Sequence, residues 1–140
     1  MTKKRYYFYR FMKQKNRYIV RTRISEKRFK TFLRFFSAGL STRIIARRTK
    51  LNRNTVNRLA LLLRTRMAAH CDEVDSAAIR IRAGEKFWRY VQMHFSRLKG
   101  IRKRHARLHV KECEWRYAHK DKNVETALLA MLKKQPLRYS

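Results

Sequence analysis

Apolar residues recur at helical spacing along most of the chain. After Ser25, a favourable helix N-cap, Phe29, Phe32, Leu33 and Phe36 follow the i, i+3, i+4, i+7 pattern of an amphipathic helix. Gly39 suits the left-handed position past its end. Ser41 predicts a second cap, before a short helix whose apolar side is Ile44, Ile45 and Leu51, with Lys50 at the turn. Asn52 predicts a third cap, and Val56, Leu59, Ala60 and Leu63 repeat the spacing. The opposite face of that third helix carries Arg53, Asn54, Asn57, Arg58 and Arg64.

The flanks behave differently. Residues 3–23 interleave bases with aromatics and hold neither period, so they read as a basic aromatic arm with room for a short strand at Arg17–Arg23. Residues 72–84 break the helical pattern, with the cluster Asp72-Glu73-Val74-Asp75 followed by small and alternating residues up to Gly84. They read as a linker or a short irregular strand at Ile79–Ala83. Beyond it, Trp88, Val91, Phe95 and Leu98 predict one helix, ended by Gly100. Ala106, Val110, Cys113 and Tyr117 predict a second, with Leu108 and Trp115 flanking. Asn123 caps a third, in which Val124, Leu128, Met131 and Leu132 face inward and which Pro136 stops. The expected fold class is mainly α.

Charge narrows the partner. The 140 residues hold 38 Lys or Arg and nine Asp or Glu, a net charge of +29. Residues 1–70 contribute 21 bases against Glu26 alone, 21 − 1 = +20; residues 71–140 contribute 17 − 8 = +9. A small protein so charged is drawn to a polyanion, and nucleic acid is the first expectation. No apolar run approaches the roughly 18 residues that cross a bilayer, so no membrane partner is expected. Two distant cysteines, Cys71 and Cys113, suggest a reduced, cytoplasmic protein, held at the nucleoid through DNA.

Three helices in about 42 residues, the last two joined by a tight turn, meet the requirements of a helix-turn-helix. Its recognition helix needs side chains that reach base edges near its N-terminus. Arginine reads guanine and asparagine reads adenine, each through two hydrogen bonds. Arg53, Asn54, Thr55, Asn57 and Arg58 supply that set, with Ser41, Thr42, Arg43, Arg47 and Arg48 placed to meet phosphates. A three-helix bundle with a solvated basic face is the plainer alternative. The aromatic-basic arm leaves a small RNA-binding protein open as a second.

Other chemistry is thinly represented. His105, His109 and Cys113 lie at i, i+4, i+8 with His119 nearby, but the close ligand pair of structural zinc sites is missing, and no metal is expected there. Only three glycines occur and no phosphate loop is present. Asp75 and Glu85 remain as carboxylates of the kind that hold Mg²⁺. Such a site needs acids converging from a mixed sheet, and nine residues separate these two.

Two blocks resemble a known family. The first, Ile24 to Cys71, includes Ser25-Glu26-Lys27-Arg28-Phe29, Gly39-Leu40-Ser41, Ile45-Ala46 and Leu51-Asn52-Arg53-Asn54-Thr55-Val56-Asn57-Arg58. The second, Gly84 to Leu137, includes Glu85-Lys86-Phe87-Trp88, Lys99-Gly100-Ile101 and Leu108-His109-Val110-Lys111-Glu112-Cys113-Glu114-Trp115-Arg116-Tyr117. Both are similar to bacterial insertion-sequence transposases of the acidic-triad (DDE) type that begin with a helix-turn-helix. The resemblance implies that residues 24–71 bind the ends of the element. It implies that residues 85–140 are the helical remnant of an RNase H-like core, with Glu85 as its last metal-binding carboxylate. Glu73-Val74-Asp75 is similar to the segment of the first catalytic aspartate, though Ser76 stands where an acid is expected. The middle of the core, with the second aspartate and most strands, is missing. Residues 72–84 then mark a deletion junction.

The expectation is a DNA-binding, transposase-derived protein that reads element terminal repeats in double-stranded DNA. It carries vestigial Asp75 and Glu85 and needs no cofactor, where the intact family uses Mg²⁺. An accessory role beside a full-length transposase, or self-association, is the remaining alternative.

Overall fold

Caps and turns divide the first half as the spacing suggests. The computed structural model describes residues 16–73, 81–98 and 101–139. The arm up to residue 15, most of the junction including Asp75, and Gly100 lie outside them. Helix α1 spans Glu26–Ser37; Ser25 Oγ accepts from the Arg28 N–H at 3.2 Å. Phe29, Phe32, Leu33 and Phe36 are all buried. At its end Gly39 sits at φ +80°, and the Gly39 and Leu40 N–H groups donate to the Phe36 and Phe35 carbonyls. That pairing is a Schellman motif, which satisfies carbonyls the helix leaves open.

Helix α2, Thr42–Thr49, starts on Ser41 Oγ and ends at Lys50, whose φ of +57° is left-handed. Arg28 of α1 donates to the Thr49 carbonyl at 3.2 Å, which ties the end of α2 to α1. Asn52 Oδ1 accepts from the Asn54 N–H at 2.8 Å and opens α3, Arg53–Glu73. Twenty-one residues make α3 roughly 30 Å long. Its apolar stripe continues past Leu63 through Met67 and Cys71, all buried. The helix therefore runs through Asp72 and Glu73, two residues beyond the expected end of the helix-turn-helix segment.

The second half is helical as well. Helix α4 covers Glu85–Arg97, α5 Lys103–Ala118 and α6 Val124–Lys134, the last capped by Asn123 Oδ1. Residues 81–83 are helical, so the described part of the junction is not the irregular strand that was one expectation. Gly84, at φ +54°, takes the chain from there into α4. The chain then returns to its start. Strand β1, Ile19–Val20, lies within the expected Arg17–Arg23 strand and pairs in parallel with β2, Leu137–Arg138, Ile19 opposite Leu137. This two-stranded pair is the whole sheet among the described residues. The protein is mainly α.

One core serves both halves. Phe29, Phe32, Leu33, Phe36, Ile45, Val56, Leu59, Leu63 and Met67 are buried together with Trp115, Leu128, Leu132 and Leu137. Helix α5 lies along α3, and α6 packs on α1. A smaller cluster of Phe87, Val91 and Cys113 joins α4 to α5. It turns α4 differently from the expected stripe. Phe87 is buried and meets the Tyr117 ring edge-on at 5.8 Å, while Trp88, one position and about 100° further round the helix, is 51% exposed.

Candidate nucleic-acid interface

The N-terminus of α3 and the face of α2 open onto a cleft of about 1060 Å³. Nine of the ten residues expected to meet DNA line it: Ser41, Thr42, Arg43, Arg47, Arg53, Asn54, Thr55, Asn57 and Arg58. Arg43, Arg47, Arg53, Asn54, Asn57 and Arg58 are exposed. The tenth, Arg48, is also exposed but stands over the Phe35 ring at 5.5 Å, away from the cleft.

The opposing wall belongs to the second half of the chain. Arg97 and Leu98 at the end of α4, Ile101 and Arg102 before α5, and His105, Leu108 and His109 within α5 line it, with Tyr139 beyond β2. Among the described residues, seven arginines thus face one cleft and no carboxylate lines it. Three described acids pair away from it: Glu26 with Arg17 and Lys30, Asp72 with Lys111 and Arg107, and Glu125 with Arg34. Of the seven, only Arg64 is matched to an acid among the described residues. Cations crowded in this way repel one another and lower their energy when phosphate enters between them.

The walls are held together by a buried ionic network that the hydrophobic pattern does not reveal. Glu112 of α5 is 1% exposed. Its Oε2 accepts from Arg64 Nε of α3 at 2.7 Å and its Oε1 from Arg116 Nε at 3.0 Å. Arg116 also donates to the Phe36 and Ser37 carbonyls at 2.6 and 2.9 Å, so α5 caps the C-terminus of α1. Burial alone would raise the Glu112 carboxyl, but Arg64 and Arg116 outweigh it and hold the group at about 2. Phe36 lies beneath both guanidinium groups. The usable signal was the i, i+4 spacing of Glu112 and Arg116 on α5.

The expected metal-like spacing resolves differently. His109 turns to His94 of α4, Nδ1 to Nε2 at 3.1 Å, and not to Cys113. His94, His109 and Glu112 bring three donor atoms within 4.8 Å of one another. A divalent ion there would sit beside the two guanidinium groups that already occupy both Glu112 oxygens. The arrangement therefore suits a network of ion pairs better than a metal. Burial pushes the Cys113 thiol up to about 12, so it is no nucleophile and no ready thiolate ligand.

Of the two candidate catalytic carboxylates, Asp75 lies outside the described residues. Glu85 occupies the first turn of α4 with its side chain 92% exposed, 3.8 Å from Arg89.

No family model and no solved structure matches the chain. An uncharacterized transposase-like protein of Haemophilus influenzae is 35% identical to it over 51 residues. That stretch is 36% of this chain and 42% of the relative, so the chain matches less than half of that protein's length. Over that stretch the chain is similar to a transposase-like protein.

Proposed function

We propose that the chain is a DNA-binding, transposase-derived protein that reads the ends of an insertion element through a helix-turn-helix. Helices α2 and α3 form the motif, joined by Lys50, Leu51 and Asn52. The N-terminus of α3 enters a major groove, where Arg53, Asn54, Thr55, Asn57 and Arg58 face base edges. Arg43, Arg47 and Arg48, with Ser41 and Thr42, take the flanking phosphates. The observation that carries this reading is the exposed set of arginines and amides that α2 and α3 present to the cleft, with no acid among the described residues that line it.

The same reading makes the chain catalytically inactive, with residues 85–140 a remnant of an RNase H-like core. Its support is that Glu85 is exposed beside Arg89, and that the described strands amount to one two-residue pair. A chain of this kind occupies element ends and competes with intact transposase for them.

A gel-shift titration with terminal-repeat duplex and scrambled competitor tests the reading. Preferential binding of the repeat is expected. Equal affinity for both duplexes at moderate salt removes sequence recognition, and preference for single-stranded RNA moves the protein to another class.

A further inference from the structure

The second half of the chain contributes eight of the residues around the cleft, and no part in DNA binding is yet attached to any of them. We infer that Arg97 and Arg102 are phosphate-binding residues. They grip the backbone strand at the edge of the groove that α3 enters, so that both halves of the chain form one DNA-binding unit. The inference rests on the proposed helix-turn-helix reading and extends it to residues outside that motif.

Three observations converge on these two positions. Arg97 and Arg102 are exposed, line the same cleft as Arg53, Asn57 and Arg58, and have no carboxylate partner among the described residues. Their wall is not free to drift away. Helix α5 is locked to α3 through Glu112 and Arg64, and α4 is joined to α5 through Phe87, Val91 and Cys113. Lastly, the size fits a strand and not a whole duplex. A volume of about 1060 Å³ corresponds to a cube of roughly 10 Å edge. The major groove is about 12 Å wide and 8.5 Å deep, so a helix can lie in it while one bounding strand passes between the walls. His105 and Leu108 also line that wall.

Contacts to phosphate carry no sequence information, and their number is read from the salt dependence of binding, about 0.9 in slope for each phosphate neutralised on a duplex. The full chain, its Arg97→Gln/Arg102→Gln variant and a Lys133→Gln/Lys134→Gln variant are titrated with a random-sequence duplex over a range of salt. The lysine pair removes the same charge from the end of α6, away from the cleft. The arginine variant is expected to lower the slope by about 2 and to weaken binding alike for repeat and scrambled duplexes. The lysine variant should leave the slope unchanged. An unaltered slope in the arginine variant overturns the inference, as does an equal loss in both variants or tighter binding of single-stranded RNA than of duplex. Because the probe has random sequence, loss of terminal-repeat preference would instead count against the recognition reading alone.

Discussion

Arg64 Nε donates to Glu112 Oε2 at 2.7 Å across 48 residues of chain. This bond joins the helix that carries the candidate reading face to a helix from the other end of the sequence. Through Arg116 the same carboxylate reaches the C-terminus of α1. Two guanidinium groups and one carboxylate leave a net positive charge there, facing the partial negative charge of the α1 carbonyl end. The orientation of both walls of the cleft depends on this network.

Substituting Glu112→Gln keeps the shape and removes the charge. The buried Arg116 and the partly buried Arg64 then lose their counter-ion, a change that typically destabilises by about 3–5 kcal/mol. Urea denaturation should show the midpoint falling steeply for Glu112→Gln. Glu26→Gln, which breaks an exposed pair with Arg17, should cost under about 1 kcal/mol.

Acid should weaken the fold before it reaches Glu112. Burial lowers the His109 imidazole to about 4, with the nearby Arg64 charge adding to the effect, and burial lowers His94 in the same direction. An unfolded histidine titrates near 6.5. Between those values the unfolded chain binds more protons than the folded one, so stability rises with pH across the window. It is complete above about 6.5 and declines as pH falls toward 4. The Glu112 contribution is complete above the ordinary carboxyl value of 4.5 and is lost progressively as pH falls from there to its lowered value of about 2. Denaturation midpoints between pH 7.5 and 4.5 should fall, and His109→Gln should flatten that dependence; a flat profile in the unmodified chain would refute the assignment.

Trp115 is 1% exposed in the core shared with Phe29, Phe36 and Leu63. Trp115→Ala should cost about 3–5 kcal/mol, as for other large buried aromatics. Because the core is common, circular dichroism and tryptophan fluorescence should report one unfolding transition for the described residues. Two resolved transitions would mean that the halves unfold separately.

On the proposed reading face, Asn57→Ala and Arg58→Ala should each cost about 1–3 kcal/mol in binding to a terminal-repeat duplex, and relax the preference at one base position. Arg47→Ala, a phosphate contact in the same reading, should weaken repeat and scrambled duplexes alike. Competition titrations at fixed salt separate these two patterns.

The sequence alone determined the local structure of the first half. Ser25, Ser41 and Asn52 announce their helices because a side-chain oxygen at an N-cap satisfies N–H groups that the helix cannot. Gly39 marks an end because its left-handed backbone suits a residue without a Cβ. The positions of Arg53, Asn54, Asn57 and Arg58 on an outer face followed from the apolar stripe beneath them. In the second half the same reasoning located the helices but misjudged a face, since Phe87 and Trp88 are both large and apolar and only contact with Tyr117 chooses between them.

Tertiary structure decided what distant residues do together. Glu112 and Arg116 look like surface charges in a linear string, because a helical period says nothing about which charged side chains will meet partners in the interior. Arg64 became one of those partners only when α5 settled along the extended stripe of α3. That docking also placed Arg97 and Arg102 across from Arg53 and Arg58, positions more than thirty residues apart in the chain. Charge composition predicted a polyanionic partner; the concave shape offered to it arises from packing between the two ends of the sequence.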